Sequence, residues 1–510
     1  MSVEHTPQLN LAAHFVDARI SDGLGERPAV RAGDRIWSYA EIAALSSRVA
    51  ELLAQADVRP EERVIVALPD DPLFVGALFG ILRRGAVVVM VNPDLQPDLL
   101  AYFFAYTRAR AALVDRAHAE AIEAAIASIT PRPVVCVLDD PDVQQRLDAY
   151  ETRYVPFASH PDEAAIWLFS GGTTGRPKAV IQTNRSYVNT TDRYGKGVLG
   201  LTANDITLAV PKLFFGYAMG SNLLFPFSVG ASCVLFPDRS TPETIFHEIR
   251  RHHPTILVNV PTMVQQMVSH PSASSQDLSS VRLATSAGEA LPAELYQRWK
   301  NTFGVELLDG LGTAEMWHIF ISNRPGAVVP GTLGHVVDGF EVKLCDGEGR
   351  DVPPGEVGAL WVKGDSRAIG YWQRHDDTVR AFRGEWYVSG DMLRQNADGS
   401  YVYCGRADDM LKVAGKWLSP GELENCLLQH AGVREVAVVG IKNADGLVKP
   451  CAFVVADTPS PGLAQELQAF AKARLEPYKY PRQVVFLETL PRTHLGKVDR
   501  HRLATSLETA

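Results

Sequence analysis

Residues 170–178 read Ser-Gly-Gly-Thr-Thr-Gly-Arg-Pro-Lys, a run whose residue types suit an anion. Gly171, Gly172 and Gly175 let backbone N–H groups approach bound charge, Ser170, Thr173 and Thr174 add hydroxyl donors, and Lys178 adds a positive charge. The chemistry that this combination serves is phosphate binding. Its spacing is not that of the G-x-x-x-x-G-K-[ST] loop, because Arg176 and Pro177 separate Gly175 from Lys178, and Ala179 follows the lysine. A polar hairpin connection is the plainer alternative, but hairpin loops use about two to five residues and this run is longer.

The flanks say what must hold such a loop. Ala165 to Phe169 is apolar, with the β-branched Ile166 and the aromatic Trp167 and Phe169, and reads as a buried strand; Ala179 to Gln182 reads as a second. Elsewhere, strand-like and helix-like runs alternate. "ERVIVAL" precedes "DPLFVGALFGILRRG" and "AVVVMVN", "SCVLF" precedes "TPETIFHEIRRHHP" and "TILVNV", and "VRLATSAG" precedes "PAELYQRWKNTFG". This alternation predicts an α/β fold with helices on mainly parallel sheets. Residues 330–405 change character to short strands broken by Gly, Asp and Pro, and a smaller α/β unit follows Gly405-Arg406-Ala407-Asp408-Asp409. The expected domains are therefore 1–407 and 408–510.

Composition excludes several classes. The 510 residues exceed one ordinary core. A net charge of −9 without a long basic run argues against nucleic acid and anionic membranes as partners. Six cysteines lie far apart with no CxxC pair, which fits neither a zinc site nor a disulfide framework and points to a reducing cytoplasm. The N-terminus has no signal-peptide pattern. The most apolar stretch, near Ile65 to Val91, is broken by Asp70, Asp71, Arg83 and Arg84, and is not expected to span a bilayer.

Six stretches then fall in one order: "SGGTTGRPK" (170–178), "PKLFFGYAMG" (211–220), "SAGEALP" (286–292), "DGLGTAEM" (309–316), "WYVSGD" (386–391) with "GRADDMLKVAG" (405–415), and "LPRTHLGKVDR" (490–500). Together they resemble the adenylate-forming superfamily of acyl-CoA synthetases, and "KLFFGYAMG" and "GLGTAEMWHIFISN" look most like benzoate-CoA ligases and their aryl relatives. The resemblance implies a large N-terminal domain of two α/β subdomains and a β-barrel, with a small mobile α+β C-terminal domain. It implies a two-step reaction. A carboxylate attacks the α-phosphate of Mg·ATP to give an acyl adenylate and pyrophosphate, and a thiol, usually that of coenzyme A, then displaces AMP.

By the same resemblance, Lys497 is the lysine that contacts carboxylate and phosphate during adenylation, where a fixed cation offsets the repulsion of two anions. Glu315 would hold Mg²⁺, a hard cation that takes oxygen ligands. The family usually places Thr just before this glutamate; here that residue is Ala314 and Thr313 precedes it, so a phosphate-binding hydroxyl is displaced by one residue or absent. Asp391 matches the carboxylate on the ribose hydroxyls, and Arg406 an arginine near ribose and α-phosphate. Asp309 with Gly310, and the backbone at Gly288 and Glu289, match the adenine site. Asp408 matches the hinge, and Lys412, Val413, Ala414 and Gly415 the thioester-forming loop that replaces Lys497 in the second step. Phe214 would gate an acyl pocket lined by Gly216, Tyr217, Ala287, Gly312, His318 and Ile319, an inventory suited to a flat apolar acid.

The expected substrates are benzoate or a substituted benzoate such as 2-aminobenzoate, ATP and coenzyme A, with a homodimer left open. "PKLFFGYAMG" offers no Asp to pair a substrate ammonium, which disfavours amino acids. An aryl-adenylating enzyme that loads a carrier-protein thiol is the alternative, weakened because no carrier segment follows Lys497. A catalytically silent nucleotide-binding protein would lack Lys497, Glu315 or Asp391, and all three are present.

Overall fold

The computed structural model describes residues 7–171, 176–413, 416–442, 447–492 and 498–508. Gly172, Thr173, Thr174, Gly175, Ala414, Gly415 and Lys497, singled out above, lie outside the described residues. The chain divides into two compact units. One comprises 1–291, 295–342 and 362–387; the other comprises 292–294, 343–361 and 388–510.

The larger unit holds two sheets. The seven-stranded sheet runs Gly370–Tyr371, Lys178–Thr183, Ala164–Ser170, Val87–Met90, Arg63–Ala67, Ala111–Val114 and Val134–Val137. Its last five strands are parallel; the first two are antiparallel to their neighbours. The nine-stranded sheet has a parallel centre from Pro28–Ala32 to Leu307–Thr313, closed at its edges by antiparallel strands, Arg35–Ser38 on one side and His318–Ser322 with His335–Val336 on the other. The central strands are apolar on both faces, as helix-covered parallel strands must be. Leu208, Val234, Leu257 and Leu307 pack with Phe246, Val264 and Trp299 from the helices on one side of this sheet.

The helices start where the sequence supplies acceptors. Asp71 accepts from Phe74 N at 3.0 Å and Thr241 from Thr244 N at 3.2 Å, each followed by proline at the first helical position. The antiparallel edges matter most for function. A parallel strand must be followed by a crossover, whereas an antiparallel partner allows a short reversal. Both reversals at these sheet edges, 164–183 and 307–322, carry residues singled out by type and spacing.

In the smaller unit, Glu435–Lys442, Val448–Val455 and Gln483–Phe486 form a three-stranded sheet, with helices Pro420–Leu427, Pro461–Lys472 and Arg500–Glu508. Leu423, Leu427, Val438, Val454 and Leu467 form one core there. Residues Val388 to Arg406 of the same unit include an antiparallel ladder in which Asp391 faces Arg406.

Candidate active site

The loop at 170–178 hangs from a closed hairpin, since Ser170 is paired with Lys178 across the ladder. Its described end is fixed from the side. Tyr102 Oη donates to Pro177 O at 2.8 Å, and the Arg176 guanidinium lies 5.0 Å from the Tyr102 ring centre. Lys178 Nζ sits over the Tyr371 ring at 4.4 Å and 3.8 Å from Asp377 Oδ2.

Glu315 lies in the turn Ala314–Met316 between the paired strands of the second hairpin and is only 3% exposed. Burying a carboxylate is costly unless its oxygens are satisfied. Tyr371 Oη donates to Oε1 at 2.9 Å, and Ala368 N donates to the Glu315 carbonyl at 2.8 Å. Gln182, from the first hairpin, donates to Ala314 O at 2.7 Å, so the two reversals are joined. Oε2 has no protein partner among the described residues. A buried carboxylate with one oxygen committed and one open fits a hard cation such as Mg²⁺. Thr313 Oγ1 accepts from Met316 N at 3.3 Å and caps this turn. The role uses a lone pair and leaves the O–H to donate.

Deeper on the same sheet, Asp309 and Ser286 are register partners. Burial pushes the Asp309 carboxyl well above the usual carboxylate range. Neither Asp309 Oδ1 nor Ser286 Oγ makes a hydrogen bond of normal geometry among the described residues. Buried polar atoms of this kind call for a partner, and a carboxyl beside a hydroxyl offers hydrogen-bonding groups to a heteroaromatic edge. Nearby, Gly288 has φ +89°, a left-handed backbone that suits glycine, and Glu289 accepts from Thr262 at 2.8 Å.

The aromatic stretch 213–219 splits by burial. Leu213, Ala218 and Met219 are buried, while Phe214, Phe215, Gly216 and Tyr217 are half-buried, so these four keep part of their surface out of the core. Ala287, His318 and Ile319 are buried, and Gly312 is half-buried. Tyr217 Oη meets Thr285 Oγ1 at 2.6 Å, and Tyr217 O accepts from His318 Nε2 at 3.0 Å. A carbonyl can only accept, so His318 carries its proton on Nε2. Its ring is surrounded by Tyr194, Tyr217, Phe225 and Trp317 at 4.7 to 5.7 Å between ring centres.

Burial lowers the His318 pKa to about 3. The imidazole stays neutral where unfolded histidine would charge, so its contribution to stability is complete above about 6.5 and is lost as pH falls toward 3. The stability advantage of the wild type over His318→Leu, followed by urea denaturation from pH 7.5 to 4.5, should therefore shrink by about 1.4 kcal/mol per pH unit below about 6.5. A pH-independent difference would mean that His318 ionises within the fold.

Three groups important to this geometry escaped sequence reasoning. Asp70, buried, takes Leu213 N on both carboxylate oxygens at 2.9 and 3.1 Å and so pins the segment that carries Phe214. Gly220 is needed by His318, because a Cβ there would lie 2.5 Å from His318 Cδ2. Tyr371 is the partner of Glu315. Gly220 closes a quoted motif, which was a usable signal; Asp70 and Tyr371 are brought in by tertiary structure.

In the smaller unit, Asp391 is 5% exposed. Its Oδ1 accepts from Tyr403 Oη at 3.2 Å and Arg406 Nη1 at 3.3 Å, and its Oδ2 from Ser389 Oγ. A carboxylate has about four lone-pair sites and three are used, so capacity for about one further donor remains. Arg406 O then accepts from the N–H groups of Asp409 and Met410, both at 3.0 Å, forming the turn that contains Asp408. Lys412 and Val413 lie on the strand Leu411–Val413, paired with Lys416–Leu418.

A chain with these features has close relatives. It is 37% identical to a 4-hydroxybenzoate–CoA/benzoate–CoA ligase of Rhodopseudomonas palustris, over 97% of this chain and 93% of the relative. Among solved structures it resembles an anthranilate CoA ligase in complex with anthranoyl-AMP, with TM-score 0.93, 35% identity and 99% of both chains covered. It also resembles a benzoate CoA ligase from Burkholderia xenovorans LB400, with TM-score 0.88, 38% identity, and 97% of this chain and 99% of that one covered. No helix among the described residues is long and apolar enough to cross a membrane. Residues 18–372 match the model of the AMP-binding enzyme family and residues 422–497 that of its C-terminal domain; the chain belongs to the AMP-binding enzyme family.

Proposed function

We propose that the chain is an ATP-dependent aryl-CoA ligase acting on benzoate or a substituted benzoate such as 2-aminobenzoate, through an aryl adenylate, with release of AMP and pyrophosphate. What carries this reading is the aromatic segment Phe214 to Tyr217, bonded through Tyr217 O to neutral His318 on the hairpin that presents Glu315, in a chain alike along nearly its whole length to ligases of benzoate, 4-hydroxybenzoate and anthranilate. Cytoplasmic residence is part of the same reading.

In the first step, a carboxylate oxygen attacks the α-phosphorus and pyrophosphate leaves. Ser170, Lys178 and the glycine N–H groups between them would hold phosphate oxygens, and Lys497 would stand between the two reacting anions. Asp309, Gly310, Gly288 and Glu289 would take adenine, and Asp391 and Arg406 the ribose. Mg²⁺, when bound through Glu315, supplies neutralising charge to the phosphates. Phe214, Gly216, Tyr217, Ala287, Gly312, His318 and Ile319 would hold the ring. In the second step the sulfur of coenzyme A attacks the acyl carbon and AMP leaves, with Lys412 to Gly415 beside the pantetheine and Asp408 as the hinge between steps.

The test compares benzoate, 2-aminobenzoate, 4-hydroxybenzoate, octanoate and phenylalanine under identical ATP and CoA, reading pyrophosphate release and thioester mass. One of the aryl acids should give the highest kcat/KM, together with its CoA thioester. A maximum with octanoate or phenylalanine defeats the aryl reading. Fast pyrophosphate release with no acyl-CoA would instead assign the chain to loading a carrier-protein thiol.

A further inference from the structure

The nucleotide reading above uses Glu315 and Lys178, which lie on different sheets, and leaves open what holds them in register. Tyr371 touches both. Its hydroxyl donates to Glu315 Oε1 at 2.9 Å, and its ring face carries Lys178 Nζ at 4.4 Å. The residue is itself placed with care. It belongs to the two-residue strand Gly370–Tyr371, which pairs with Val180 and Ile181, immediately beyond Lys178. Tyr371 N donates to Thr378 Oγ1 at 3.0 Å, and Gly370 is needed there, since a Cβ would lie 2.7 Å from Thr378 Cγ2.

We propose that Tyr371 is a positioning residue that couples cation binding to phosphate binding: its hydroxyl fixes the Glu315 carboxylate with Oε2 presented, and its ring sets the height of the Lys178 ammonium. The proposal rests on the reading of Glu315 as the metal carboxylate and Lys178 as the phosphate lysine. The division of labour follows from the chemistry of the side chain. A hydroxyl that occupies one carboxylate oxygen leaves the other for a hard cation and prevents rotation of the group. A ring face attracts an ammonium, and does so most strongly where water is excluded. Lys178 is also drawn toward Asp377, which Arg380 engages at 2.5 Å. Without the ring, the ammonium loses its support on the Glu315 side.

The two functions separate in two substitutions. Tyr371→Phe keeps the ring and removes the donor; Tyr371→Leu removes both. The probes are Mn²⁺ affinity of the ATP-loaded full-length chain, by electron paramagnetic resonance, and metal-free ATP affinity, by calorimetry in EDTA. Tyr371→Phe should weaken Mn²⁺ binding by about tenfold, the lower end of what losing an outer hydrogen bond to a metal ligand costs, and leave metal-free ATP affinity within about twofold. Tyr371→Leu should weaken both. Wild-type Mn²⁺ affinity in Tyr371→Phe, or unchanged metal-free ATP affinity in Tyr371→Leu, overturns the coupling while the nucleotide reading stands. Glu315→Gln separates the cases: if it binds Mn²⁺ as tightly as the wild type, the assignment of Glu315 fails and the proposal falls with it.

Discussion

In a Lys497→Ala variant, formation of the aryl adenylate falls by about a hundredfold or more, on the scale of losing one preorganised electrostatic donor. Supplied with synthetic aryl adenylate and CoA, the same variant makes thioester at close to the wild-type rate. The expectation follows from what each step needs. Adenylation brings a carboxylate and a triphosphate together, and a cation fixed between them stabilises charge that grows in the transition state. Thioester formation starts after the pyrophosphate has left and needs no such bridge. Gly415→Leu reverses the pattern, since its side chain would obstruct pantetheine and leave adenylation nearly intact. Arg500, three residues beyond Lys497, donates to Glu424 Oε2 at 3.0 Å and to Val438 O at 2.8 Å, anchoring the start of the last helix to the small sheet. Rapid-quench measurement of both half-reactions in both variants decides the matter. Equal loss of the two steps in a folded Lys497→Ala protein would make Lys497 a structural residue or show that the two loops do not alternate.

Much of the fold was legible because hydrophobic period and punctuation agreed. "ERVIVAL", "DPLFVGALFGILRRG" and "AVVVMVN" became the strand Arg63–Ala67, the helix Pro72–Arg83 and the strand Val87–Met90, with Asp71 and Pro72 marking the helix start. The expectation of mainly parallel sheets holds for the strands between helices. The antiparallel edges were less visible, because Leu307–Thr313 reads as two strand residues followed by "DGLGT", a string that resembles a turn. Only pairing with His318–Ser322 makes it a strand.

The candidate site was legible where a rare residue combination falls in one segment, as at 170–178 or around Glu315. It was illegible where a residue acts through a neighbour distant in sequence. Asp70 reaches Leu213 across 143 residues, and Tyr371 reaches Glu315 across 56. Neither has a local pattern that distinguishes it from a helix-flanking aspartate or a strand tyrosine. Gln182 is a similar case. It reads as an ordinary end of a strand, yet it is fully buried and ties the two reversals together.

Gly312→Ala should be among the most damaging single-methyl changes in the chain, although the sequence suggests only that a small residue there makes room for an aromatic ring. A Cβ at Gly312 would lie 2.3 Å from His318 O, 2.5 Å from His318 C and 2.9 Å from Ile319 N. All three atoms are backbone, so no side-chain rotation relieves the clash and the hairpin itself must open. That hairpin carries Asp309 on one strand, Glu315 in its turn and His318 on the other strand. Opening it would displace Asp309, Glu315 and His318 together. Overpacking of this kind costs about 1–3 kcal/mol, and a displacement of about 1 Å in a reacting group costs about a hundredfold in rate. Gly216→Ala is the informative contrast. Its Cβ would meet Leu168 Cδ1 at 3.1 Å and Cδ2 at 3.3 Å, the mobile end of a side chain. Gly216→Ala should therefore alter the order of preference among substituted benzoates with little change in the KM for ATP or in melting temperature. Gly312→Ala should lower the melting temperature, raise the KM for ATP and depress kcat for every acid. Melting curves and kinetics with both substrates varied separate the two. A Gly312→Ala protein of wild-type stability that differed only in its choice of acid would mean that the glycine serves the ring alone.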